Sequence, residues 1–460
     1  MRRRPFQFVA RSAGALVALG WASAARAVQR FPPPQFETGH TLPATTAPRA
    51  DPLWLDVLDI ALLAAALGIG AYLVIYRRSR RGVIGLGIAA LIYFGFVRGG
   101  CICPIGAIQN VALAMGGGGY VLPLVVAAFF LLPLIVTIAF GRIFCAGVCP
   151  LGAIQDVVVI KPLRVPVWLD HGLSLLAYLY LGLAVLLAVT GSAFVICQYD
   201  PFVGLFRMSG TMVMLLLGAG FLLVGMFIAR PYCRWLCPYG VLLSWIAPGA
   251  ARQPKIDPVG CIQCQLCRDG CPVNAIQMPR TPPTDAATRR ADRRRMAGLL
   301  VLAPLLVAGW TWLGVWLADA IARVHPRVQL AQRLEAEDAG LVEGRTDASG
   351  NFRQRGASRE ALAGEVQAVH ATFAWGTPVL GAFMGLVIAV KLIRHARRPS
   401  RDEFVIDQAR CLACARCFAL CPHHPGNEPL LERWHEANRQ GDESAPPRSA
   451  VTVSAKGGAA

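Results

Sequence analysis

The sequence predicts a mainly α-helical, polytopic membrane protein of about seven spans, with a small cysteine-rich module on its cytoplasmic side. Three observations carry this. Of the 460 residues, 55% are hydrophobic and only 16% charged, a balance too apolar for an ordinary soluble domain. The apolar residues fall in seven long, almost uncharged blocks, which is how membrane spans read. Two runs then share one grammar: Cys261-x2-Cys264-x2-Cys267-x3-Cys271-Pro272 and Cys411-x2-Cys414-x2-Cys417-x3-Cys421-Pro422.

That spacing is the bacterial ferredoxin pattern: three cysteines for one [4Fe–4S] cube, and a fourth, before proline, that ligates the neighbouring cube. Thiolates are the soft donors such iron needs. A zinc knuckle is the competing reading, but zinc sites usually draw on separated Cys-x2–4-Cys pairs. The runs therefore predict two [4Fe–4S] clusters in one ferredoxin-like two-cluster module. No Cys-x-x-Cys-His occurs, so covalent c-type haem is not expected.

In chain order, residues 1–27 read as a signal peptide, with basic Met1–Arg4, a short apolar stretch and Ala25-Arg26-Ala27; an uncleaved anchor is the alternative. Residues 28–53 are Pro-rich and polar, an exported linker. The spans fall near 54–76, 83–98, 120–140, 172–190, 211–229, 297–317 and 372–392. With the mature N-terminus outside, Arg77, Arg78, Arg80, Arg81, Arg142, Lys161, Arg230, Arg234, Arg252, Lys255, the run Arg289–Arg295, Lys391, Arg394, Arg397, Arg398 and Arg401 all fall inside, as the positive-inside rule requires. The net charge of +18 is thus a topological signal, and nucleic-acid binding is not expected.

This divides the chain into a five-span core (54–250), a first ferredoxin-type segment (251–296), a two-span hairpin (297–392) with an exported loop at 318–371, a second ferredoxin-type segment (393–424) and a disordered tail (425–460). The exported loop is expected to be partly helical around Leu330–Val342.

Of fifteen cysteines, twelve lie in the two runs and in two Cys-x3-Cys-Pro pairs, Cys145/Cys149 and Cys233/Cys237. A disulfide framework suits a small secreted domain rather than this chain. The segments beginning Cys101-Ile-Cys103-Pro, Cys145-Ala-Gly-Val-Cys149-Pro and Cys233-Arg-Trp-Leu-Cys237-Pro resemble one another. From Cys103 and Cys149 onward, six of eight positions are identical. Proline after the last cysteine can open a helix and holds that cysteine extended, leaving its thiolate at a helix N-terminus, where negative charge is favoured.

Cys145, Cys149, Cys233 and Cys237 are therefore candidates for one further metal or cluster site at the inner surface. The alternative is small buried hydrophobes or a reversible dithiol. Cys101, Cys103 and Cys197 are expected together at the outer surface near Asp200. A disulfide such as Cys101–Cys197 and an outer iron–sulfur or copper site both fit them. Asp170, His171, Tyr199 and Asp200 read as solvated interfacial groups before proton or quinone chemistry. His423 and His424 read as surface residues. No residue is assigned a catalytic role.

The order of parts resembles the NosR/NapH group of membrane polyferredoxins. The resemblance rests on Cys145-x3-Cys149-Pro150, on Arg230-Pro-Tyr-Cys233-Arg-Trp-Leu-Cys237-Pro238-Tyr-Gly240 and on the two ferredoxin runs, and covers roughly residues 54–422. It implies an inner-membrane electron-transfer protein working between the quinone pool or cytoplasmic donors and an exported redox partner. The NosR-like alternative is a maturation or regulatory factor for an exported metalloenzyme, such as a copper one. The chain departs from NosR in its short exported N-terminal part, which lacks a Ser/Thr-Gly-Ala-Ser/Thr flavin-attachment motif. No covalent FMN is expected, and a separate flavoprotein would take that place.

Overall fold

A computed structural model describes residues 52–432, except 101–102, 117–119, 161, 164, 210, 258–260, 282–284, 398–399, 426, 428 and 431. The expected signal peptide and almost all of the expected linker and tail lie outside the described residues, as does Cys101.

The molecule is mainly helical. Five helices are long and apolar enough to cross a membrane: α1 (Leu53–Tyr76), α2 (Arg80–Val97), α7 (Val167–Val189), α14 (Ala286–Ala322) and α17 (Arg359–Ala396). Between them, in chain order, stand α3 (Pro104–Met115), α4 (Leu124–Phe140), α5 (Ile143–Gly147) and α6 (Pro150–Val158). After α7 come α8 (Val195–Tyr199), α9 (Val203–Phe206), α10 (Met212–Phe227), α11 (Pro231–Trp235), α12 (Pro238–Ile246) and the single turn α13 (Leu266–Asp269). The hairpin carries α15 (Pro326–Asp338) and α16 (Asp347–Gln354), and α18 (Arg416–Ala419) closes the order. All seven apolar blocks are thus helical, but the third and fifth give shorter helices, α4 and α10, and α3 is an apolar helix the sequence reading had not counted.

The stretch 318–371, expected as an exported loop with one helical part, is more helical than that. α14 runs on to Ala322 and α17 begins at Arg359, with α15 and α16 between them. The helix expected at Leu330–Val342 starts and ends four residues earlier. It opens at Pro326, behind a His325 side chain that accepts from Arg327 N, and stops before Gly340, which holds φ +68°.

α14 and α17 touch backbone to backbone. A Cβ on Gly381 would stand 2.1 Å from Trp310 O, one on Gly314 2.4 Å from Thr377 O, and one on Gly385 2.7 Å from Val307 Cα. Small residues permit such approach where apolar side chains gain little by leaving lipid. The hairpin returns the chain beside its departure point. There β1 (Ile276–Gln277) and β2 (Val405–Ile406) pair antiparallel, Ile276 opposite Ile406, with a further bridge between Arg280 and Arg401. This small sheet joins the two ferredoxin runs.

Three Cys-Pro helices start inside the bundle. α3 runs from Cys103 to Gly116, where a Cβ would meet Val189 O, at the end of α7, at 2.9 Å. α6 runs the other way, from Cys149 to Ile160, whose N–H donates to Met226 O at the end of α10. α12 runs parallel to that sense, from Cys237 to Ala251 and Arg252, which donate to Ile138 O and Ala139 O at the end of α4. α6 and α12 therefore end on the ferredoxin side, and α3 on the opposite one.

Candidate metal centres

In each ferredoxin run the residues flanking the second cysteine are left-handed: Gln263 (φ +58°) and Gln265 (φ +62°) about Cys264, Ala413 (φ +52°) and Ala415 (φ +58°) about Cys414. Left-handed backbone is uncommon for residues with a Cβ. Alternating it with ordinary backbone turns successive N–H groups inward, a cradle for anionic thiolates. Accordingly Ala413 N donates to Cys411 Sγ (3.4 Å) and Ala275 N to Cys271 Sγ (3.3 Å).

The fourth cysteine of each run lies near the first three of the other. Cys264 and Cys267 lie in the electrostatic reach of Cys261 and of Cys421 from the other run. Cys411 and Cys417 lie in that of Cys414 and of Cys271. Cys417 also senses Cys267, so the two groups adjoin. Burial pushes the Cys267 and Cys411 thiols up to about 12. Bare thiolates are disfavoured there, and a cationic iron core is what would compensate them. Among the described residues no three His, Cys, Asp or Glu side chains close tightly enough for a single metal ion. Thiolates around a four-iron cube stand farther apart than those around one ion.

The module sits on the membrane core through arginines. Arg80 donates to Cys414 O (3.0 Å), Arg142 to Ala409 O (3.0 Å) and Arg234 to Pro272 O (3.1 Å), while Arg78 lies 5.3 Å over the Phe418 ring. Asp170 is not the solvated interfacial group that was expected. It is 5% exposed and accepts from Arg234 (2.7 Å), from Trp235 Nε1 (2.9 Å) and from Arg410. It thereby ties α7, α11 and the second ferredoxin run together, which the sequence could not signal because the partners lie 64 to 240 positions away. His171 stacks edge-on against His395 at 5.6 Å, Tyr199 is exposed, and His424 Nδ1 lies 3.0 Å from Pro425 O at the surface.

Cys145, Cys149 and Cys237 are buried and Cys233 half-buried. They converge: Cys149 senses Cys233, Cys145 and Cys237, and Cys237 senses Cys233 and Cys145. Three polar side chains frame the group. Arg142 Nη2 is 3.8 Å from Cys145 Sγ, and Gln155 Nε2 donates to Cys233 Sγ at 3.4 Å while its Oε1 accepts from Tyr232 N. Arg230 sits left-handed (φ +52°) ahead of Pro231, a costly conformation for such a residue. It is held by a two-point pair with Asp156 (2.9 and 2.7 Å) and by bonds to Ala146 O (3.1 Å) and Cys145 O. Gly240 N donates to Cys237 Sγ at 3.3 Å.

Cys103 is not at the far surface, where it was expected. α3 spans 12 residues, so about 18 Å separate its start from the level of Val189, and Cys103 lies within electrostatic reach of Cys149. Cys197 stays exposed, near Cys103, and Asp200 is buried beside both.

A family model described as a 4Fe-4S binding domain matches residues 122–164 and 210–256. Each match takes in an apolar helix and the Cys-x3-Cys-Pro pair after it. An uncharacterized protein of Methanocaldococcus jannaschii is 29% identical over 193 residues, 40% of this chain and 77% of its own length. A second from that organism is 37% identical over 67 residues, 15% of this chain and 27% of its own. Escherichia coli "Putative electron transport protein YccM" is 28% identical over 117 residues, 23% of this chain and 32% of its own. The chain thus spans about a third or less of the last two. No solved structure matches. Fold and matches together define the class: a helical membrane protein with 4Fe–4S binding segments.

Proposed function

We propose that the protein passes electrons through the inner membrane between its cytoplasmic ferredoxin module and an exported redox partner, by way of a cluster held in the membrane core. The ligands of the module's two [4Fe–4S] clusters are Cys261, Cys264, Cys267 with Cys421, and Cys411, Cys414, Cys417 with Cys271. Those of the core cluster are Cys145, Cys149, Cys233 and Cys237. Bound clusters of this kind each take up and release one electron, and the protein positions and tunes them.

The observation that carries the reading is the contact at Arg142. One guanidinium touches both the Cys145 sulfur and the Ala409 carbonyl, two residues before Cys411. The module is therefore seated on the core site with no intervening element. Arg142, Gln155 and the N-termini of α6 and α12 supply positive potential where an added electron would rest. Arg78, Arg80, Arg142 and Arg234 all contact the module side, which supports its cytoplasmic placement. The quinone pool is the proposed membrane partner, consistent with the similarity to YccM.

Proteoliposomes with the protein oriented one way test this. A low-potential dye on the module side should reduce an impermeant acceptor on the other. A Cys145→Ala/Cys233→Ala variant should still reduce its ferredoxin clusters, seen by EPR, but lose transmembrane transfer. Undiminished transfer in that variant would overturn the reading.

A further inference from the structure

We infer that Cys103, Cys197 and Asp200 are ligands of a second membrane-embedded iron–sulfur centre, a divergent copy of the Cys145/Cys149/Cys233/Cys237 site in which a carboxylate replaces one thiolate. This rests on the reading of that four-cysteine group as a cluster site.

The argument is a structural repeat. Cys103-Pro-Ile-Gly106-Ala-Ile-Gln109 and Cys149-Pro-Leu-Gly152-Ala-Ile-Gln155 both open a helix, and both glutamines do the same work. Gln155 Oε1 accepts from the backbone of Tyr232, just before Cys233. Gln109 Oε1 accepts from Ile196 N (3.0 Å) and Cys197 N (3.3 Å). Cys197 thus stands to Gln109 as Cys233 stands to Gln155. Three residues after Cys197 comes Asp200-Pro201, and four after Cys233 comes Cys237-Pro238. The two capping interactions correspond as well. Cys237 Sγ accepts from Gly240 N, and Asp200 Oδ1 accepts from Phe202 N (2.8 Å) and Val203 N (3.1 Å).

The parts meet. Gly106, where a Cβ would stand 3.3 Å from Cys197 Sγ, lets that sulfur lie against the first turn of α3, beside Cys103. The Cys103 sulfur faces the backbone of Ile105 and Gly106, and Asp200 and Cys197 are both in its electrostatic reach.

Two buried donors point to a missing acceptor. Among the described residues Gln109 Nε2 has no partner, whereas its counterpart on Gln155 donates to a cysteine sulfur. The Tyr232 hydroxyl, also without one, lies in the reach of Asp200, Cys237 and Cys103. Buried donors without acceptors are rare and costly, and the sulfides of a cluster would accept from them. A single ion is disfavoured because the three ligands do not close on one point. The centre would adjoin the four-cysteine site through Cys103 and Cys149. In one exchange the donor centre loses an electron and the acceptor centre gains it, with no atom transferred.

The test compares anaerobically purified full-length protein with three Asp200 variants, by iron and acid-labile sulfide content and by EPR and Mössbauer spectra. Asp200→Asn keeps the backbone cap but removes the anionic ligand; Asp200→Cys restores a thiolate at the position of Cys237. The ferredoxin signals serve as the folding control. Asp200→Asn and Asp200→Ala should lose one centre's iron and sulfide with the ferredoxin signals intact, and Asp200→Cys should regain it with shifted spectra. Full iron content and unchanged spectra in Asp200→Asn would overturn the inference, as would a Cys197 disulfide in the purified protein. If Cys237→Ala loses a centre while Asp200→Asn loses none, only this inference fails and the proposed function stands.

Discussion

Arg142 donates to the carbonyl of Ala409 at 3.0 Å across 267 positions of sequence, and the same guanidinium lies 3.8 Å from the Cys145 sulfur. One buried cation thus joins the second ferredoxin run to the membrane cysteines. Removing it should make an added electron on the core site less stable. Arg142→Gln is expected to lower that centre's midpoint potential by roughly 30–60 mV, where about 59 mV is a tenfold change for one electron. Potentiometric EPR reads the shift, and an unchanged potential would show that Arg142 only docks the module.

The charge cluster at Asp156 gives a pH dependence. Burial opposes its ionisation, but Arg230 and Arg80 overcome this and hold the carboxyl at about 2. A folded-state value below the unfolded one means that the stabilisation is present above about pH 4 and is lost as pH falls toward 2. At about 1.4 kcal/mol per pH unit, that displacement corresponds to about 3 kcal/mol. Asp156→Asn should cost that amount at pH 7 in detergent unfolding and flatten the acid limb. A variant whose acid limb matches the parent would refute the assignment.

The proposed exchange of fourth cysteines predicts a crossed phenotype. Cys421→Ala should perturb the cluster of Cys261, Cys264 and Cys267, and Cys271→Ala that of Cys411, Cys414 and Cys417. Pairing each substitution with a reporter change near one triplet distinguishes the two clusters by EPR. Damage confined to the substituted run itself would show that each run closes its own cube.

Close packing of α14 on α17 should be needed to assemble the module. Gly381→Leu places a side chain where a Cβ alone would lie 2.1 Å from Trp310 O. It should cost about 1–3 kcal/mol and weaken both ferredoxin signals. Gly364→Leu on the same helix, where a Cβ meets nothing within 4 Å, serves as control. Equal cluster content in the two variants would separate the hairpin from module assembly.

Much was legible in the sequence because it is carried locally. The apolar blocks announce the helices through their length. The Cys-x2-Cys-x2-Cys-x3-Cys-Pro spacing marks candidate cluster ligands, because cluster geometry fixes the loop between ligands. Cys-Pro announces a helix start. What no local pattern carries is depth and partnership. Cys103 begins a helix wherever it lies, and only the packing of Gly116 on Val189 shows that the start is deep in the bundle. Asp170 reads as an interfacial carboxylate until Arg234 and Arg410 arrive from distant segments to bury it. The likeness of Asp200 to Cys237 is hidden too, since the residue types differ and the spacing shifts by one. It emerges when Gln109 and Gln155 are seen capping matching backbone. The sequence by itself determined where the long apolar helices form and which cysteines are spaced as candidate cluster ligands. The tertiary structure alone decided which sites adjoin, because proximity between remote segments is set by packing.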